Sequence, residues 1–269
     1  MTIFVSCVNL KGGVGKTTLA VNFAAYCGMV GKRTLLIDLD PQTNATFSCI
    51  SVDAWEDHAK KHGTVADLLG ARQHTAADAK PRKASEVLVK DVFKNVDLIP
   101  SHLDLFTIDL DMAGATSRET RLRKALNEIS ANYNVVICDC PPNLTIPTQN
   151  ALAASSFFIV PISADFLSAL GIGILLRRIK QLGEDLDQQL KLAGIVISRV
   201  GRAAYHRDDI VAELRKRFPD DVLNTTISER VRVAEAAAKN VSVFDMGDTA
   251  AVSEFKSVYY EIAKRIGLK

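Results

Sequence analysis

A doubly wound, mostly parallel α/β sheet in a single domain is the fold class this sequence predicts, and three observations predict it. Short apolar runs rich in β-branched residues recur at 3–8, 34–37, 96–99, 135–138, 157–162 and 192–197. Segments of helical periodicity lie between or after them, at 19–30, 120–133, 164–182, 208–218 and 252–266. No repeat, low-complexity tract or linker divides the chain. Near-continuous apolar strands separated by helices indicate a parallel sheet covered on both faces. The least sheet-like stretch is about 51–94, which holds the only tryptophan, Trp55, and a polar patch around 76–84. It reads as a peripheral helical insertion with a mobile loop.

Composition excludes several classes. Apolar residues at 48% and charged residues at 24% describe a globular chain, not a disordered one. A net charge of +2 announces no nucleic-acid binding in bulk, so any basic face must be assembled by folding. No apolar run approaches the ~20 residues of a membrane span, and the N-terminus enters a strand at once, which reads as leaving no room for a signal peptide. The five cysteines lack Cys-x-x-Cys spacing and mostly sit in apolar runs. They read as buried hydrophobes in a reducing cytoplasm.

The first strand runs into Lys11-Gly12-Gly13-Val14-Gly15-Lys16-Thr17-Thr18, with a helical run behind it. Strand, glycine loop and helix is the context of a phosphate-binding P-loop. Gly12, Gly13 and Gly15 let the backbone curl until several amides point at one anion, at the positive end of the helix. Lys16 brings a cation to the β- and γ-phosphates, and the Thr17 hydroxyl is the expected magnesium ligand. By charge alone Lys11 reads as a solvated loop cation. The run KGGVGKTT, however, resembles the deviant Walker A box of the ParA/MinD ATPases. That resemblance implies that Lys11 reaches across a nucleotide-sandwich dimer to the phosphates of the other subunit.

Parallel sheets bind ligands beyond the carboxyl ends of their strands. The second predicted strand ends in Asp38-Leu39-Asp40-Pro41-Gln42-Thr43-Asn44. Two carboxylates leaving a buried strand have little packing value; one role open to them is to hold magnesium-bound water, the other to orient the attacking water. The resemblance to the ParA segment DxDPQGN implies Asp40 for hydrolysis and Asp38 for the metal side. Thr43 stands where the family has glycine, which implies a stiffer loop. The run Val135-Val136-Ile137-Cys138-Asp139 fits the Walker B pattern, in which the carboxylate accepts from the metal's water shell. Cys140-Pro141-Pro142 then fixes the exit loop, since proline removes backbone donors; ParA proteins carry DCPP here, with Asn143 replacing a serine. Pro161-Ile162-Ser163-Ala164-Asp165 resembles the family's P-x-x-x-E segment that supports the dimer face, with a shorter acid.

Arg199 and Arg202 follow the strand at 192–197, and Arg230-Val231-Arg232-Val233-Ala234-Glu235-Ala236 resembles the ParA signature around VRLSEA. The resemblance implies that Arg199, Arg202, Arg230 and Arg232 contribute to a DNA-binding surface of the ATP dimer. Paired across a two-fold axis, such arginines give salt-sensitive, sequence-independent binding of double-stranded DNA. Ser228 and Glu229 stand where relatives have a proline near adenine. In the last helix Phe255, Val258, Tyr259, Ile262 and Ile266 fall at helical spacing, the pattern of docking on the sheet. The resemblance spans Val5 to about Ala236. It implies a P-loop NTPase of the deviant Walker A class with ATP and Mg2+ as cofactors, a homodimer on ATP binding, and slow hydrolysis stimulated by a ParB-like or cargo-adaptor protein. The expected setting is cytoplasmic and nucleoid-associated, with no stable membrane anchor and no preceding helix-turn-helix domain. A MinD-like membrane-cycling ATPase is the alternative function, and an iron–sulfur carrier of the nitrogenase-iron-protein type shares the same loop.

Overall fold

The computed structural model describes residues 2–71, 82–198 and 205–268. Seven strands form one sheet: β1 (Ile3–Cys7), β2 (Thr34–Asp38), β3 (Val89–Phe93), β4 (Val96–Ile99), β5 (Val135–Asp139), β6 (Phe157–Ser163) and β7 (Lys191–Ser198). Their order is β3-β4-β2-β5-β1-β6-β7, and every pair is parallel except β3 with β4. After β1 the chain fills one side of the sheet, then returns to build β6 and β7 on the other. The reversal therefore falls at β1, the kind of switch point at which open α/β sheets leave a crevice.

Alternation along the strands feeds two cores. Leu35, Ile37, Val136 and Cys138 pack on one face; Leu36, Val135 and Ile137 pack on the other. The second face is covered by the helices Lys16–Met29 and Thr249–Arg265. Phe255, Val258, Tyr259, Ile262 and Ile266 are all buried there, as their spacing predicts, and Tyr259 donates its hydroxyl to the Leu19 carbonyl at 2.9 Å. The helix Lys16–Met29 runs so close to the β3–β4 turn that a Cβ on Gly28 would lie 2.1 Å from the Lys94 carbonyl oxygen. Glycine is required there by contact.

Two expectations change. The segment 51–94 contains the exposed helix Val52–Lys61, but also the core-facing helix Val65–Leu69 and the edge strand β3. It is thus partly sheet. Lys90 and Asp91 hide the strand period, and Asp91 takes a left-handed φ of 52° where the β3–β4 register shifts. Of the polar patch at 76–84, residues 76–81 lie outside the described residues. The helix expected over 120–133 ends at Leu126 and tightens into a short turn at Ser130–Asn132. That turn lets Ile129 and Tyr133 both reach the core before β5 begins, and Tyr133 donates its hydroxyl to the buried Asp97 at 2.7 Å. Among the described residues no helix is long and apolar enough to cross a membrane.

Candidate functional site

Strand register brings the predicted chemistry to one edge. Cys7 at the end of β1 pairs with Asp139 at the end of β5, which pairs in turn with Asp38 at the end of β2. A cavity of about 690 Å³ opens at this edge, lined by Gly12, Gly13, Gly15, Lys16, Thr17, Thr18 and Asp40. Its far wall is apolar, formed by Phe47, Ile227, Val233, Ala234, Ala237 and Phe255.

The glycine loop is shaped for an anion. Gly13 and Gly15 have φ of 74° and 85°, a region that side-chained residues adopt only under strain. Gly12 has no positive φ, and a Cβ placed on it would meet nothing within 4 Å, so the chain itself does not demand glycine there. Val14 is buried and anchors the loop, its carbonyl accepting from the Ser198 hydroxyl of β7 at 2.5 Å. The helix that follows starts with no side-chain cap and no acid in its first turn. Its leading amides and the positive end of its dipole are left for an external anion.

The two lysines stand differently. Lys16 is buried, and its ammonium donates to the Lys11 carbonyl at 3.1 Å. Lys11 reaches outward, forming a 2.7 Å ion pair with Asp165, with side chains 43% and 39% exposed. The Asp165 expected at the dimer face therefore engages Lys11 within its own chain. Asn9 supports the loop from below, accepting from the Lys11 amide at 3.0 Å and donating to the Pro161 carbonyl at 2.6 Å.

The acidic side of the site is dominated by burial. Asp139 is fully buried and neither carboxylate oxygen has a hydrogen-bond partner among the described residues. Burial and the neighbouring Asp38 hold its pKa well above the usual carboxylate range, while Thr17 and Lys16 pull it down. Burial pushes Asp38 up to about 7, against the hydrogen bonds it accepts from Thr46 and the Asp40 amide. Those bonds occupy Asp38: Oδ2 accepts from the Thr46 amide and hydroxyl at 2.8 and 2.7 Å, and Oδ1 from the Asp40 amide at 3.1 Å. Two adjacent buried carboxylates with one left unpartnered are the donor set a cation's water shell satisfies. Asp139 and Thr17 fit a hydrated magnesium, whereas Asp38, placed by its sequence on the metal side, is chiefly committed to holding the following loop. Among the described residues no group of three or more His, Cys, Asp or Glu side chains is arranged to hold a metal ion, so phosphate and water would supply the remaining ligands. The five cysteines are all buried, and burial pushes the Cys138 thiol up to about 12.

Asp40 sits at the cavity edge with its Oδ1 accepting from the Gln42 amide at 2.9 Å. Thr43 adopts φ 57°, ψ 22°. A β-branched residue there is strained by ~1–3 kcal/mol, which explains why glycine suits that position.

The arginines divide. Arg199 and Arg202 lie outside the described residues. Arg230 is no free surface cation: it lines the cavity and pairs with Glu254 at 2.8 Å, and Glu254 also accepts from the Ser228 amide and hydroxyl. Its charge is offset by Glu254 on a partly exposed side chain, so in this structure it presents less free charge to a DNA surface than its sequence context implies. Arg232 is 58% exposed, 3.4 Å from Glu235. Sequence reasoning missed Asn9, Ser101 and Ser198, polar residues at or just past strand ends, Thr46 in the short helix Asn44–Phe47, and the apolar cavity wall assembled from distant segments.

A curled amide-rich loop on a bare helix N-terminus, facing a strand-end aspartate, defines a P-loop nucleotide-binding protein. Comparison with known proteins narrows this class. The AAA_31 family (AAA domain) matches residues 2–192. The chain is 31% identical to the sporulation initiation inhibitor protein Soj of Bacillus subtilis, over 97% of each chain. It is also 31% identical to the chromosome-partitioning ATPase Soj of Treponema pallidum, over 97% of this chain and 96% of that one. A crystal structure of cobyrinic acid a,c-diamide synthase from Mycobacterium smegmatis with bound ADP and magnesium superposes with a TM-score of 0.78 at 27% identity, covering 97% of this chain and 93% of that one. The chain belongs to the ParA/Soj family of partitioning ATPases.

The buried acidic pair sets a pH dependence. Both folded pKa values lie above the unfolded value near 3.8, so the folded state binds more protons between about pH 4 and 7. The stability contributed by the pair is therefore lost as pH rises through that window. In nucleotide-free protein with chelator, Asp139→Asn removes the share of this loss that belongs to Asp139, so its stability falls less steeply than that of wild type as pH rises from about 5 to 8. Comparing variants isolates the pair from His58, whose depressed pKa acts in the opposite direction. Parallel denaturation profiles contradict this account.

Proposed function

We propose that this ATPase forms an ATP-sandwich homodimer, binds double-stranded DNA without sequence preference, and positions or segregates DNA or another cellular cargo. Hydrolysis in this reading is slow and is raised by a ParB-like or cargo-adaptor protein, in the cytoplasm and on the nucleoid. The observation that carries it is the division of labour between the two lysines. Lys16 is buried beside its own loop, while Lys11, at the start of the glycine loop, turns outward in a half-exposed ion pair with Asp165. Exposed pairs of this kind contribute at most ~1 kcal/mol. Exchanging Asp165 for the phosphates of a second copy's nucleotide costs little and gains charge-assisted bonds.

Within the cavity the loop amides and Lys16 orient the triphosphate in this reading, and Lys16 and Lys11 offset charge developing on the γ-phosphoryl group. Asp40 positions the attacking water for in-line displacement. Magnesium, when bound at Thr17 and Asp139, neutralises phosphate charge. The apolar wall from Phe47 to Phe255 offers the base a dry surface. Arg232, with Arg199 and Arg202, remains the set of arginines assigned to DNA phosphates; Arg230 is withdrawn from it.

Sedimentation of the hydrolysis-blocked Asp40→Ala variant tests the dimer. Saturated with Mg-ATP it sediments as a dimer, and adding Lys11→Ala returns it to a monomer that still binds nucleotide; a monomer in both cases rejects the reading. For the DNA surface, Arg232→Glu weakens retention of non-specific DNA by roughly tenfold at moderate salt and lowers the salt slope, without altering ATP affinity. Unchanged gel shifts would remove Arg232 from that surface.

A further inference from the structure

Ser101 follows β4 by two residues and is fully buried. β4 pairs with β2 in register Ile37↔Ile99, which sets Ser101 beside the segment that leaves β2. Its hydroxyl donates to the Asp40 carbonyl at 2.7 Å, and its amide donates to the Thr46 hydroxyl at 3.0 Å. The Thr46 hydroxyl donates onward to Asp38, which accepts from the Asp40 amide. Four hydrogen bonds thus close a ring through Asp40, Asp38, Thr46 and Ser101. The ring encloses the stretch that carries Thr43 in its strained conformation. Strain persists only where the surroundings over-determine it, and Ser101 is the member of the ring that comes from outside the stretch.

The ring has an outer brace. The Ser101 carbonyl accepts from the indole Nε1 of Trp55 at 2.9 Å. Trp55 meets Phe47 edge-on, with ring centroids 5.4 Å apart, and lies 5.5 Å from the His102 ring. Phe47 itself lines the cavity.

We propose that Ser101 is a positioning residue for hydrolysis, fixing the backbone of Asp40 so that its carboxylate meets the attacking water, with Trp55 bracing Ser101 from the surface side. This rests on the reading of Asp40 as the water-orienting residue. Asp40 also accepts from the Thr43 amide at 2.9 Å, so loss of the Ser101 hydroxyl loosens the loop without dissolving it. Loosening a catalytic group by a fraction of an ångström acts on turnover far more than on ground-state binding. Among the described residues no hydrogen bond of Asp38, Asp40, Thr46 or Ser101 runs to the glycine loop, so in this reading nucleotide affinity is left chiefly to Lys16 and the loop amides.

The test measures steady-state turnover and Mg-ATP affinity in wild type, Ser101→Ala, Trp55→Phe and Asp40→Ala. Ser101→Ala lowers kcat about tenfold or more with affinity within about threefold of wild type. Trp55→Phe keeps the ring contact, drops the indole donor, and lowers kcat by a smaller factor of about two to five. Wild-type kcat in Ser101→Ala, or equal loss of affinity and kcat, overturns the proposal. If Ser101→Ala does not fold, Trp55→Phe decides, and unchanged turnover there overturns it. Asp40→Ala separates the two readings: inactive Asp40→Ala beside fully active Ser101→Ala removes Ser101 alone, whereas active Asp40→Ala removes the role of Asp40 and this proposal with it.

Discussion

A buried carboxylate with no hydrogen-bond partner among the described residues is the constraint from which the rest of this site follows. Asp139 ends the central strand β5, flanked by Cys7 on one side and Asp38 on the other. Leaving such a group ionised and uncompensated is costly. The Thr17 hydroxyl and the Lys16 ammonium lie near enough to pull its pKa down, yet neither meets the distance and angle of a formed hydrogen bond to it. The arrangement is poised for a cation and an anion together: the cation beside the carboxylate, the anion on the bare helix N-terminus. Stability is sacrificed at this edge for affinity.

The same economy governs the loop after β2. Asp38 is buried beside Asp139, yet both its oxygens accept hydrogen bonds, from Thr46 and the Asp40 amide, so it ties down the segment that carries Asp40, the acid proposed to orient water. Thr43 adds local strain, and Ser101 supplies a brace from the neighbouring strand. A loop that is both strained and tied at its ends has discrete arrangements rather than a continuum.

The sheet was legible because its strands are apolar almost throughout, so periodicity and length alone placed six of them. β3 was not, since Lys90 and Asp91 break its pattern and its pairing depends on a bulge. The glycine loop was legible because its chemistry is local: eight consecutive residues carry all of it. Asp139 was legible as a strand-end acid. What the sequence concealed depends on pairs far apart in the chain. Arg230 looks like a surface cation until Glu254 is seen beside it, and Asp38 looks like a metal ligand until Thr46 and the Asp40 amide are seen bonded to its two oxygens. Ser101 carries no signature of its own; its role exists only through the register of β4 on β2.

The central claim is that Asp139 and the glycine loop form one composite site, in which cation and triphosphate are bound together. Calorimetric titration of the wild-type protein with a non-hydrolysable ATP analogue, in magnesium and then in chelator, tests it most directly. The account predicts that magnesium tightens binding by about tenfold or more and that Asp139→Asn abolishes the difference. Equal affinities with and without magnesium in the wild-type protein would contradict it.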